Sequence, residues 1–245
     1  MESVAARISL LFEAGRRPGI DDVRTLLSQD GSGLIISHVH SGMDARHGVE
    51  LLAQGLAFDL TGLAPGTADA MPPCLHRFDL SDGCDSADLE VITLQPGHHL
   101  SGGTTMKPVV QTMMNVAGAL CPLDGLVAVA WHPASSWLSP AYFASMIRNW
   151  LEGGIFPARG LVGLELSADG GLQSEGAAFF TGQEVRVEPE LVESTASATK
   201  IAVRLIDHLV ENGPFEAVEQ MVGPDGRMLK VMPSSNQRFV RVWGG

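Results

Sequence analysis

The sequence predicts an α+β protein: a mixed, largely antiparallel β-sheet arrangement with helices packed on one face. Two observations support this fold class. Short apolar runs of strand length, such as LVAVAW at Leu126–Trp131, alternate with segments that repeat apolar residues at helical spacing. Glycine-containing turns between neighbouring strand candidates near the C-terminus indicate hairpins, which make the sheet largely antiparallel.

The N-terminal region, residues 1–88, begins with a predicted β-α-β unit. Val4–Gly15 is the first strand, a short helix begins at Asp21, and Gly33–Val39 is an apolar, β-rich strand. We expect Leu51–Gly62 to form one further strand. Surface loops follow, and a short strand candidate, LHRFDL, lies between them.

The central stretch has the clearest start and stop signals. Leu89–Gly97 is a predicted strand, and a long helix begins near Thr105 and ends before Pro122. The next helix runs from Ser139, a good N-cap, to Gly153, which supplies a left-handed exit. Because it lies between two apolar strand candidates, we expect residues 126–166 to form a strand–helix–strand core and this helix to be the most buried.

The C-terminal part predicts two hairpins and one amphipathic helix. Asp169 and the two glycines after it mark the first hairpin, and EVRVEP is a short strand. Ser194 or Thr195 caps a helix that ends at Gly213. Its predicted inward stripe is Ala198, Ile201, Ala202, Leu205, Ile206 and Leu209. MLKVM and RFVRVW then form the last hairpin. Residues 89–245 form the second predicted region, and the sequence leaves open whether the two regions are half-domains or one integrated domain.

Composition excludes some partners. The formal charge of −12, from 28 acidic and 16 basic residues, argues against nucleic acid and anionic lipid, which bind clustered basic residues. No apolar run is long enough to span a bilayer, and the N-terminus shows no export signal. Three cysteines without a CxxC pair favour a reducing, cytoplasmic location and no disulfide framework. No cofactor motif is recognised.

One histidine group is the strongest candidate for chemistry. SHVHSGMDARHG contains His38, His40, Asp44 and His47, and residues at i and i+2 of a strand share a face, as in the first ligand pair of several metallohydrolases. The spacing HxHxxxDxxH differs from the HxHxDH of metallo-β-lactamases. We therefore expect hydrogen-bonded histidines rather than a metal site, and keep a metal-dependent hydrolase as the alternative.

Three segments resemble the bacterial family of unknown function DUF4261. They are LVAVAWHPASSWLSPAYF, GLQSEGAAFFTGQEVRVEP and the helix that ends LVENGP. The similarity extends over about residues 89–245, while Thr181 and Arg186 depart from the expected pattern. This resemblance implies an α+β fold with a mixed sheet and no assigned activity.

The absence of a catalytic pattern and the acidic surface favour a non-catalytic cytosolic protein that binds another protein. The C-terminal RFVRVW suggests a homodimer in addition, because an apolar strand so close to the chain end is expected at an exposed sheet edge, with Phe239, Val240, Val242 and Trp243 uncovered. The alternative is an interior strand, paired on both sides and packed under the helix from Thr195 to Asn212, which needs no partner.

Overall fold

The computed structural model describes residues 6–31, 33–41, 47–81 and 88–245. They form an α+β structure in two compact units, Met1–Gly154 and Ile155–Gly245, each with its own largely antiparallel sheet. The predicted fold class is confirmed. The boundary between the units lies after Gly154, whereas the predicted regions divide after residue 88.

The first unit contains an eight-stranded sheet of order β2-β3-β4-β6-β1-β7-β8-β5. All described neighbours are antiparallel except β5 and β8. Its elements are β1 (Ile8–Glu13), α1 (Ile20–Asp30), β2 (Ile35–Ser41), β3 (His47–Ala53), β4 (Leu56–Leu63), β5 (His76–Phe78), β6 (Leu89–Pro96), α2 (Lys107–Leu120), β7 (Leu126–Trp131), β8 (Ser136–Leu138) and α3 (Pro140–Leu151).

The middle strands of this sheet are buried on both faces. Helices α2 and α3 pack on β4, β6 and β7. A second cluster contains Leu11, Val91, Ala128 and Trp137, with side chains of the segment before β5 against it. The indole of Trp137 donates to the carbonyl oxygen of Pro73 at 3.1 Å, which fixes that covering segment. Burial on both faces explains why the sequences of β1 and β7 are nearly continuous apolar runs.

The predicted strand at Leu51–Gly62 is wrong: this stretch contains a hairpin. Gln54 and Gly55, between β3 and β4, have φ angles of 51° and 80°. Two consecutive positive φ values are typical of a type I′ turn, which reverses the chain within two residues. The prediction missed the turn because glutamine is not the usual residue at its first position.

The predicted caps of α3 are confirmed, but the predicted strand–helix–strand core around it is wrong. Ser139 Oγ accepts from the Tyr142 backbone N–H at 3.2 Å, and Gly153 has a φ of 96°. Strand β7 belongs to the first sheet, however, and the strand after α3 belongs to the second. Helix α2 is the more buried helix, with eight buried residues of 14 against four of 12 in α3.

The second unit contains a six-stranded sheet of order β12-β13-β14-β11-β10-β9, in which β11 and β14 are parallel. Its elements are α4 (Ala158–Leu161), β9 (Gly163–Leu166), β10 (Leu172–Glu175), α5 (Ala177–Thr181), β11 (Glu184–Val187), α6 (Thr195–Asn212), β12 (Glu219–Val222), β13 (Met228–Pro233) and β14 (Phe239–Gly244).

Helix α6 covers one face of this sheet, and the sequence predicted its inward residues correctly. Ser194 is the N-cap, and its hydroxyl accepts from the Ser197 backbone N–H at 3.2 Å. The six buried residues of the helix are the predicted apolar stripe: Ala198, Ile201, Ala202, Leu205, Ile206 and Leu209. Both predicted hairpins, β9–β10 and β13–β14, are present.

The segment between β10 and β11 contains the short helix α5, and Glu184 stabilises the start of this helix. Its carboxylate accepts from the backbone N–H groups of Gly176 at 2.9 Å and Ala178 at 3.0 Å, at the start of α5. A carboxylate at a helix N-terminus satisfies N–H groups that have no partner within the helix.

Strand β14 is interior rather than at an edge. It pairs with β13 on one side and with β11 on the other. The expectation that RFVRVW forms an exposed sheet edge is therefore wrong, and the argument for a homodimer from that edge loses its basis.

Candidate protein-binding surface

The predicted histidine group is only partly brought together. His38 and His40 lie on one face of edge strand β2, with ring centroids 4.9 Å apart. His40 Nε2 is 3.8 Å from Asp59 Oδ1, too far for a hydrogen bond, and this buried nitrogen has no hydrogen-bond partner among the residues that the structure describes.

His47 does not join this pair. It pairs with Ser41, the neighbour of His40, so strand alternation directs His47 to the opposite face of the sheet. Asp44 lies outside the described residues. Among the described residues, no group of three or more His, Cys, Asp or Glu side chains could hold a metal ion. Because Asp44 is not among these residues, the structure does not test the whole group. The expectation that His38, His40, Asp44 and His47 bind no metal stays a prediction.

A serine–histidine pair in the same sheet was not found from the sequence, because the partners are 123 residues apart. Ser9 Oγ lies 2.9 Å from His132 Nε2 and 3.3 Å from Thr93 Oγ1. Burial, with a smaller effect of Arg7, lowers the pKa of His132 to about 4, so the imidazole is neutral at pH 7. Ser9 is fully buried, and no substrate can reach its hydroxyl. The pair serves to satisfy buried polar groups.

Cys121 is also unsuited to nucleophilic chemistry. Burial raises the pKa of the Cys121 thiol to about 12. The thiol is then protonated at neutral pH and is a poor nucleophile.

The second sheet has two unlike faces. Along β11, β13 and β14 every second residue is buried, and in-register pairs such as Val185–Val240 and Val231–Val242 keep these residues on the face that carries α6. The intervening residues form the opposite face and stay partly or fully exposed. We call the part of that face on β12, β13 and β14 the open face; it comprises Gln220, Val222, Met228, Lys230, Met232, Phe239, Arg241 and Trp243.

The open face is unusually apolar for an exposed sheet surface. Antiparallel sheets with one solvated face normally alternate apolar residues inward with polar residues outward. On β9 and β10 the same face carries the polar residues Glu165, Gln173 and Glu175. The open face instead exposes Val222 by 49% and the cross-strand neighbour Met228 by 46%.

One charged residue of the open face, Arg241, is held in a fixed position. Glu188, whose side chain is only 8% exposed, accepts from Arg241 Nε at 2.6 Å and lies 3.3 Å from Arg186 Nε. The guanidinium carbon of Arg241 is 5.0 Å from the centre of the Trp243 ring, within the range of a cation–π contact. The hydrogen bond with Glu188 raises the pKa of Arg241. Arg241 and Trp243 are thus oriented before any partner arrives.

No family model, curated protein or solved structure matched this chain in the three comparisons. Within the described residues, no helix is both long and apolar enough to cross a membrane. The candidate surface therefore rests on the geometry of the second unit alone.

The sequence contained a signal for this surface that was interpreted differently. The sequence predicts an exposed edge for Phe239, Val240, Val242 and Trp243 alike. The structure divides them between the two faces: Val240 and Val242 are fully buried on the face that carries α6, while Phe239 and Trp243 belong to the open face.

Proposed function

We propose that this protein is a non-catalytic, cytoplasmic protein-binding domain and that the open face is its docking surface. The observation that supports this most directly is the side-chain composition of the face. Tryptophan, phenylalanine, methionine and arginine are the residues enriched at protein–protein interfaces, and Trp243, Phe239, Met228 and Arg241 lie together here.

The fixed positions of Arg241 and Trp243 favour binding further. Side chains that are already oriented lose less conformational entropy when a partner docks. The proposal also agrees with the fully buried Ser9 hydroxyl and the protonated Cys121 thiol, neither of which is suited to covalent catalysis. The resemblance to DUF4261 remains a proposal of the same kind, based on three sequence segments.

Photo-crosslinking tests this function. A benzoylphenylalanine side chain at Met228 should form discrete adducts with one or a few proteins in cells that produce this chain. The matched control carries the same probe at Ile155, which is 80% exposed in the same unit but lies outside the open face. Identical adducts from both sites, or none from Met228, would contradict the proposal.

A purified candidate partner then provides the decisive measurement. Trp243→Glu should weaken its binding by at least about tenfold, because a charge replaces an interface aromatic. Unchanged affinity with the Trp243 variant would remove the open face from the interaction. A second copy of the chain, the homodimer suggested by the sequence, is tested by sedimentation at micromolar concentration against the 26.0 kDa chain mass.

A further inference from the structure

The open face also indicates the chemistry of its partner, an inference that rests on the proposed function. Its two charged residues, Lys230 and Arg241, are both basic, although the whole chain has a formal charge of −12. They lie on neighbouring strands: Lys230 pairs with Trp243, and Met232 pairs with Arg241. The acidic residues Glu165 and Glu175 of the same face lie on β9 and β10, with β11 between them and β14.

Adjacent strands are about 4.8 Å apart, so this separation places those carboxylates roughly 10 Å or more from the basic residues of β14. That distance is about one Debye length at physiological ionic strength. Three carboxylates lie closer, and each is already engaged. Glu188 is almost fully buried and is shared between Arg186 and Arg241, Asp169 pairs with Arg186, and Glu190 accepts from the Gly244 backbone N–H at 3.2 Å. The basic groups that the open face offers to a partner are Lys230, which is exposed, and the Arg241 side chain, which is 41% exposed.

The shape of the face favours a helix as the occupant. The opposite face of the same sheet binds the amphipathic helix α6 through alternating residues of β10 and β11, and a helix on each face is a common way to bury both sides of a sheet. Val222, Met228 and Trp243 offer apolar contacts on three successive strands, across which a helix about 10 Å in diameter can lie.

We infer that the open face binds an acidic amphipathic helix of another protein, with apolar residues of that helix against Val222, Met228 and Trp243 and its carboxylates beside Lys230 and Arg241. A second copy of this chain is a poorer occupant, because a twofold axis through the face would bring Lys230 and Arg241 close to their own copies. Charge complementarity of this kind contributes more to the choice of partner than to the total binding affinity.

The test uses two fluorescein-labelled synthetic helical peptides and the full chain. Both peptides carry leucine and phenylalanine at i, i+3, i+4 and i+7; one has glutamate and the other lysine at the solvent positions. Fluorescence anisotropy should show the acidic peptide binding about tenfold more tightly than the basic one, consistent with two partly exposed ion pairs. Added salt should reduce the difference.

A charge reversal completes the test. Lys230→Glu should weaken the binding of the acidic peptide and strengthen the binding of the basic peptide. The matched control, Lys107→Glu, makes the same change at an exposed lysine of α2 and should leave both affinities unchanged. Equal binding of the two peptides, binding of neither, or equal effects of the two lysine variants would overturn the inference.

The outcomes separate this inference from the proposed function. If neither peptide binds while a purified partner still depends on Trp243, the docking surface stands and the acidic helix is rejected. If sedimentation gives twice the 26.0 kDa chain mass and Met228→Glu restores the monomer, the occupant is a second copy and the inference is again rejected.

Discussion

The two sheets of this protein differ in how many of their faces are covered. In the first sheet, β1, β6 and β7 pack against helices on one side and against the cluster around Trp137 on the other. In the second sheet, α6 covers one face, while the other face keeps Val222, Met228 and Lys230 exposed.

This difference separates stability from recognition. A tryptophan within a closed core contributes mainly to folding, whereas a partly exposed tryptophan beside a fixed arginine contributes little until a partner covers it. Trp137 is 2% exposed and belongs to the first kind, while Trp243 on the open face belongs to the second.

The strongest test of the comparison is a pair of tryptophan truncations. Trp137→Ala should lower the free energy of unfolding by about 3 to 5 kcal/mol, because it leaves a cavity between the sheet and its covering segment and removes the hydrogen bond to Pro73. Trp243→Ala should cost about 1 kcal/mol. Urea melts measure both values, and equal losses would show that the open face is part of a closed core.

The second test concerns pH and His132, the partly buried histidine that follows β7. His132 has a folded-state pKa of about 4, below its ordinary value, so the unfolded chain takes up the proton first as pH falls. Neutral His132 therefore contributes to the free energy of unfolding above about pH 6.5, and this contribution is lost as pH falls toward 4. After a reduction for the partial exposure of the imidazole, the contribution is about 2 kcal/mol.

His132→Gln should therefore flatten the loss of stability between pH 7 and pH 4, measured by urea melts at both values. His99→Gln, at an exposed histidine, is the control and should keep the steep dependence of the unchanged protein. If the two variants show the same pH dependence, His132 is not the group that titrates.

The third test addresses the single helix that covers the second sheet. Ser194→Ala removes the side-chain acceptor for the Ser197 N–H and should destabilise the protein by about 1 kcal/mol. Ser145→Ala, at an exposed position within α3, should have almost no effect or a small stabilising one. A Ser194 variant as stable as its control would mean that this cap is not required to hold α6.

The smallest effect on stability is expected on the open face itself. Met228→Gln should change the free energy of unfolding by no more than about 0.5 kcal/mol, since Met228 is 46% exposed. Chemical denaturation checks this value. A loss above about 2 kcal/mol would show that Met228 belongs to the folded core rather than to a docking surface.

The sequence by itself determined the features that depend on local spacing. The six inward residues of α6, the N-caps Ser139 and Ser194, and the two C-terminal hairpins were all predicted correctly, because period, capping and turn chemistry act within a few residues.

The tertiary structure decided which partners those elements find. Only the fold assigns β7 and β9 to different sheets, places β14 between β11 and β13, and brings Ser9 to His132. The physical reason is that a pattern of apolar residues specifies how much of each face is buried, whereas the neighbour that buries it comes from contacts far apart in the chain. The open face follows from both: the sequence supplied Trp243 and Met228, and the strand order placed them together on an uncovered surface.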